Sequence, residues 1–276
     1  MSANRIPAGS RFALLTQHGK ATAFEPAVQR LGGQLVLATG FDTDTLGSFT
    51  GERERTLSAA DAAQTKARLA TELSGARFGL GSEGSYGPDP QVGLLPWGVE
   101  IVCCWDAERG QAVHALAQGP QPVYRQQQFT DLHDALDWAR ALGFPQQGLI
   151  VGQPGLAVFD KTVSDEATLR SRLIEALAHG PVGLAADMRA HRSPARMAMI
   201  SQAADALATR LQSACPGCGL PGYGPVRLQA GAICSGCGRP TATARAEVWA
   251  CAGCGHSHER PLRASVDPSR CEFCNP

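Results

Sequence analysis

The chain has 276 residues, enough for one α/β domain of about 200 residues and a small second module. Lysine plus arginine and aspartate plus glutamate both number 25, so net charge points to no polyanionic partner. No apolar run approaches the ~20 residues a membrane span needs and no signal peptide is legible, so no membrane is expected and the expected compartment is cytoplasmic.

Phe12 to Thr16 is a short apolar run suited to a buried parallel strand. It leads through Gln17-His18-Gly19-Lys20 into a helix expected from Glu25-Pro26 to Leu31, closed by Gly32-Gly33. Gln34 to Thr39 reads as a second strand, followed by a polar loop to Arg55 that carries Asp42, Asp44, Glu52 and Glu54. Ser58 caps a helix through Leu73, with Asp61 three residues on, as a capping box requires. Ala76 to Gly81 makes the third strand, and Ser82-Glu83-Gly84-Ser85-Tyr86-Gly87-Pro88 is expected to be a loop beyond it. A glutamate among glycines at a strand's C-terminal edge stands where open α/β sheets place their ligands.

Val99 to Trp105 and Ala112 to Gln118 pattern as a hairpin, with Cys103 and Cys104 as core. Thr130 and Ser164 are expected to cap two further helices, with Gly148 to Gly152 a strand between them. Val182 to Ala186 is the last strand of the domain, and Ser193-Pro194 opens a long helix to about Gln212. Arg189-Ala190-His191-Arg192 lies just ahead of that helix and Arg196 one turn in. Basic residues there oppose the macrodipole and suggest an anionic ligand, the alternative being a solvated loop. Three of the 25 basic residues are lysines, and two of them, Lys20 and Lys66, fall in these motifs.

The tail holds four Cys-x-x-Cys pairs: Cys215/Cys218, Cys234/Cys237, Cys251/Cys254 and Cys271/Cys274, separated by 15, 13 and 16 residues. Each is a candidate zinc knuckle, and eight thiolates make two complete four-cysteine sites, structural because no coordination position stays open. Disulfides are the less favoured reading in a cytosolic chain. Sequential pairing is expected, since gaps of 15 and 16 residues each leave room for a hairpin; a nested arrangement, with the middle knuckles sharing an ion, stays open. His256 and His258 compete only weakly as ligands. With six arginines, four acids and two centres of formal charge 2−, the tail has a net charge of −2, a poor footprint for nucleic acid. The expected domains are residues 1–212 and 213–276.

Two resemblances accompany these motifs. With TQHGK, FDTDTLGSFT, SEGSYGPDP and the closing DPSRCEFCNP, the whole chain resembles a bacterial family of unknown function, which implies no activity. Residues 11–212 are similar, more distantly, to inosine triphosphatases and related purine nucleoside-triphosphate phosphatases. Thr16 and Lys20 match that family's phosphate-binding turn, and Asp61 with Lys66-Ala67 its acid-bearing helix. Glu83 matches its magnesium-binding loop, and His191-Arg192 the pair that meets the base. Ala62 and Ala190 depart from the family's asparagine and serine. The resemblance implies a mixed sheet flanked by helices and a magnesium ion on Glu83 with Asp61 or Glu52. Lys20, Glu83 and Asp61 would be catalytic; Thr16, His18, Lys66, His191, Arg192 and Arg196 would bind a small phosphorylated ligand.

The fold expected is therefore an α/β domain with a C-terminal double zinc ribbon. The function expected is handling of a nucleotide-like phosphate compound, by magnesium-dependent hydrolysis or by binding. The alternative is a non-enzymatic adaptor whose ribbons recruit a protein or nucleic-acid partner.

Overall fold

The computed structural model describes residues 6–42, 57–90, 93–152 and 159–276. The chain divides into two compact units, Ala8–Ala208 and a second that includes Thr209–Pro276. Among the described residues no helix is long and apolar enough to cross a membrane.

In the larger unit, β1 (Arg11–Leu15) lies between β2 (Gln34–Ala38) and β3 (Phe78–Pro88), parallel to both. The sheet continues as an antiparallel meander through β4 (Pro96–Asp106) and β5 (Gln111–Pro120), in the order β2-β1-β3-β4-β5. A second sheet has the order β6-β8-β7, from Gln126–Phe129, Leu149–Val151 (β7) and Val182–Ala186 (β8). Its core joins Phe129, Leu149 and Leu184 to Leu136, Leu169 and Leu173, which lie on helices α3 (Leu132–Leu142) and α4 (Glu166–Leu177). These two helices are capped by Asp131 and Asp165, one residue after the expected Thr130 and Ser164. A carboxylate there accepts from the first-turn N–H groups and also favours the positive end of the helix dipole.

Helix α1 (Ala21–Arg30) starts four residues earlier than expected, straight after Lys20 and with Pro26 inside it. Gly19 at φ +65° makes that abrupt entry possible, because the left-handed region costs glycine little. Helix α2 (Ala59–Ser74) is capped by Ser58, whose Oγ accepts from the Asp61 N–H.

The contact between α2 and β3 is very close. A Cβ on Gly79 would sit 1.9 Å from the Ala67 carbonyl oxygen, and one on Gly81 would sit 2.1 Å from that of Ala63. Both obstacles are helix backbone, so neither can swing away. Gly79→Ala is expected to lower stability by about 1–3 kcal/mol or more, read as a shift in the urea midpoint; an unchanged midpoint would contradict this packing.

The main departure from expectation is the length of β3. Ser82 to Pro88 is not a loop but strand, paired residue by residue from Ser82↔Val102 to Pro88↔Pro96. Successive side chains of a strand point to opposite faces. Gly79, Gly81 and Glu83 therefore face α2, and Ser82, Gly84 and Tyr86 face the other way.

The smaller unit holds a three-stranded antiparallel sheet in the order β12-β11-β9, from Gly224–Ala230 (β9), Ala244–Ala250 (β11) and Ser257–Pro261 (β12). Two short strands, β10 (Ile233–Cys234) and β13 (Ser265–Val266), pair in parallel beside it. The last helix, α5 (Pro194–Gln212), has the bounds its sequence suggested.

Candidate metal centres and a buried ionic cluster

The eight tail cysteines gather into two quartets, Cys215, Cys218, Cys251 and Cys254, and Cys234, Cys237, Cys271 and Cys274. Within each quartet all sulfurs lie within 4.8 Å of one another. The Cys215–Cys254 and Cys218–Cys251 sulfurs are 3.7 Å apart, Cys234–Cys274 3.8 Å and Cys237–Cys271 3.6 Å. Four sulfurs at ~2.3 Å around a tetrahedral ion stand about 3.8 Å apart, whereas a disulfide brings them to ~2.0 Å. The quartets thus fit a tetrahedral thiophilic ion such as zinc. The N–H groups of Gly217, Gly236 and Gly253 donate to Cys215, Cys234 and Cys251 at 3.3–3.4 Å, as a tight knuckle turn requires.

The pairing is first with third and second with fourth, neither sequential nor nested. The register explains it. Residues 224–230 are consumed as one extended strand, seven residues at ~3.3 Å each, and not as a hairpin. Gly224↔Ala250 brings the first knuckle beside the third, and Ala230↔Ala244 places the second knuckle toward the opposite end of the sheet. His256 and His258 are not ligands in either quartet. Their rings lie against Tyr223, at 5.8 and 5.7 Å, and the Tyr223 hydroxyl hydrogen-bonds His258 Nδ1.

The residues proposed for phosphate chemistry divide among five places. On the α2 face of β3, the Lys66 ammonium contacts Glu83 Oε2 at 2.6 Å, both residues buried. On the opposite face Lys20 Nζ donates to Ser82 Oγ at 2.9 Å. That face also holds Glu100, fully buried, whose Oε1 accepts from Arg196 Nε at 2.7 Å and from the Tyr86 hydroxyl at 2.8 Å. Arg196 further donates to the Met188 carbonyl. Gly84 is required here: a Cβ would stand 2.2 Å from Glu100 Oε1 and 2.8 Å from Arg196 Nη2.

Asp61 stands at the exposed start of α2, bonded to Ser58, a helix cap and no part of either group. Arg192, expected to join Lys20, instead donates to the Val163 carbonyl and lies 3.8 Å from Asp187. Thr16 Oγ accepts from the His18 N–H, and the His18 ring stacks on exposed His191 at 5.3 Å. Partial desolvation and the neighbouring Arg189 charge hold the His191 imidazole below its usual pKa.

Burial, followed by the nearby Arg196 charge, depresses the Lys20 ammonium to about 7, with Glu100, Lys66 and Glu83 also felt. Sequence reasoning missed Glu100 and Tyr86. They pattern as an acid in an apolar strand and a loop aromatic, and only the β3–β4 register unites them. The donor set does not fit the implied magnesium ion. Glu83 is engaged by Lys66, Asp61 lies elsewhere, and Glu52 falls outside the described residues. Among the described residues, the groups of three or more metal-ligating side chains are the two cysteine quartets.

No curated protein matches the chain. A family model described as Domain of unknown function (DUF6671) matches residues 66–276, from the middle of α2 through all four knuckles. The chain belongs to that family.

Proposed function

We propose that the α/β unit binds a small phosphorylated ligand of nucleotide-like class beside Lys20, and that the ribbon is a module built on two structural zinc ions. The observation that carries the first part is Lys20 itself. Lys20 is 7 % exposed, yet its side-chain hydrogen bond goes to a neutral hydroxyl, and the buried carboxylate it feels most strongly, Glu100, is already held by Arg196. A buried cation held, among the described residues, by a neutral hydroxyl alone is costly, and an anion relieves that cost.

The sign of the pH effect follows. The folded pKa of about 7 lies below the ordinary 10.5, so between these values the unfolded chain holds a proton the folded one lacks. Stability of the ligand-free protein is therefore expected to rise with pH across that window. Below about 7 the penalty for charged Lys20 is fully present, and Lys20→Met should be more stable than the parent by a gap that closes toward pH 10.5. Anion binding should reverse the shift, so inorganic phosphate or a nucleoside triphosphate at pH 8 should bind with proton uptake. Calorimetry in buffers of differing ionisation enthalpy reads this. Binding without proton uptake, or equal binding by Lys20→Met, would remove Lys20 from the site. Release of inorganic phosphate from the triphosphate, with and without added magnesium, separates hydrolysis from binding.

One observation favours the adaptor reading. Strand β9 is a sheet edge with Val226 and Leu228 51 % and 65 % exposed, the pattern of an edge that accepts another strand. That reading gains if phosphate compounds leave the melting temperature unchanged while extended apolar peptides raise it, an effect Leu228→Asp should cancel.

A further inference from the structure

We propose that the exposed thiolates Cys237 and Cys274 form a modification site for hydroperoxides, whose oxidation to a disulfide releases zinc from the second centre while the first keeps its ion. This rests on the two-zinc reading, which elemental analysis of the untreated protein checks separately.

The two centres differ in cover. In the first, Cys215 and Cys251 are buried, Cys218 is half-buried and Cys254 alone is exposed. Tyr223, 5 % exposed, packs against the buried ligands together with Leu220 and Trp249. The position of a Cβ on Gly217 lies 3.4 Å from His256 Cβ and 3.7 Å from Cys254 Sγ, so the first and third knuckles meet closely there. In the second centre Cys234 and Cys271 are buried, but Cys237 and Cys274 are both exposed. Its strand support is two residue pairs, Ile233↔Ser265 and Cys234↔Val266. Phe273, the neighbour of Cys274, is 58 % exposed with the Arg239 guanidinium 4.6 Å from its ring.

Disulfide formation needs two accessible thiolates close together, and the second centre has them, from different knuckles and within 4.8 Å. One thiolate attacks the terminal peroxide oxygen: an S–O bond forms, the O–O bond breaks, and hydroxide leaves from hydrogen peroxide or alkoxide from an organic hydroperoxide. The other thiolate attacks the resulting sulfenyl sulfur, forming the S–S bond and expelling hydroxide. The two sulfurs lose two electrons and the hydroperoxide gains them. Two thiolates are left for the ion, too few for the four-coordinate site zinc requires. At the first centre Cys254 has no exposed partner, so the second displacement is hindered.

The test treats the full-length two-zinc protein with hydrogen peroxide beside a chromophoric zinc indicator. One zinc per chain should leave in a first phase, about ten times faster than the second, because oxidation follows thiolate exposure. Peptide mapping should place the first disulfide between Cys237 and Cys274, and dithiothreitol with zinc should restore the starting state. Both ions leaving at one rate in the parent protein, or first oxidation at Cys218 or Cys254, would overturn the proposal.

Discussion

A protein carrying Cys218→Ser together with Cys254→Ser is expected to retain one tightly held zinc ion per chain, whereas Cys218→Ser with Cys237→Ser should retain none at full affinity. The first pair removes two ligands from a single quartet and leaves the other whole; the second takes one from each. Sequential pairing would give the opposite result, so metal content after dialysis against a weak chelator decides between them. The effect is large because a structural zinc ion contributes roughly 10–16 kcal/mol of apparent binding free energy, most of which is folding free energy in a small module. Complete chelation should accordingly abolish the β12-β11-β9 sheet. The larger unit has its own core around Phe12, Leu14, Leu80 and Ile200 and should keep a cooperative melting transition. Loss of both units in one transition on chelation would contradict that independence.

The second large effect concerns Glu100 and Arg196. Glu100 has no solvent exposure and Arg196 only 4 %, so Arg196→Met strands a carboxylate in the interior with the Tyr86 hydroxyl on Oε1. Breaking a buried pair from one side costs about 3–5 kcal/mol, more than most point changes. Replacing both partners, Arg196→Met with Glu100→Leu, should recover most of that loss, because the desolvation of two charges no longer opposes folding. Urea unfolding of the two single variants and the double variant gives the coupling directly. Additive losses would mean that Arg196 is held by the Met188 carbonyl and packing, with the Glu100 contact adding little. The same series bears on ligand binding, since Arg196 supplies the charge that, after burial, most depresses Lys20.

Much of this protein is determined by short stretches of its sequence. The cap and helix of Ser58, the bounds of α5 and strand β8 follow from signals within four residues of one another. So does the clustering of the tail thiols: a Cys-x-x-Cys turn aims two sulfurs at one point whatever surrounds it, so eight candidate ligands in two quartets are legible without a fold. Which knuckles share a quartet is not, because gaps of 15 and 16 residues accommodate a hairpin or a single strand equally well. The β9–β11 register makes that choice, through pairings remote in sequence. Likewise Ser82 to Pro88 carries the glycines of a loop, and becomes strand only because β4 offers a full-length partner. That pairing sends Ser82 and Glu83 to opposite faces, parts Lys20 from Glu83, and joins Lys20's face to Glu100 and Arg196. Side-chain alternation is a local rule, but the existence of the strand is a tertiary decision, and the composition of the buried cluster rests on it.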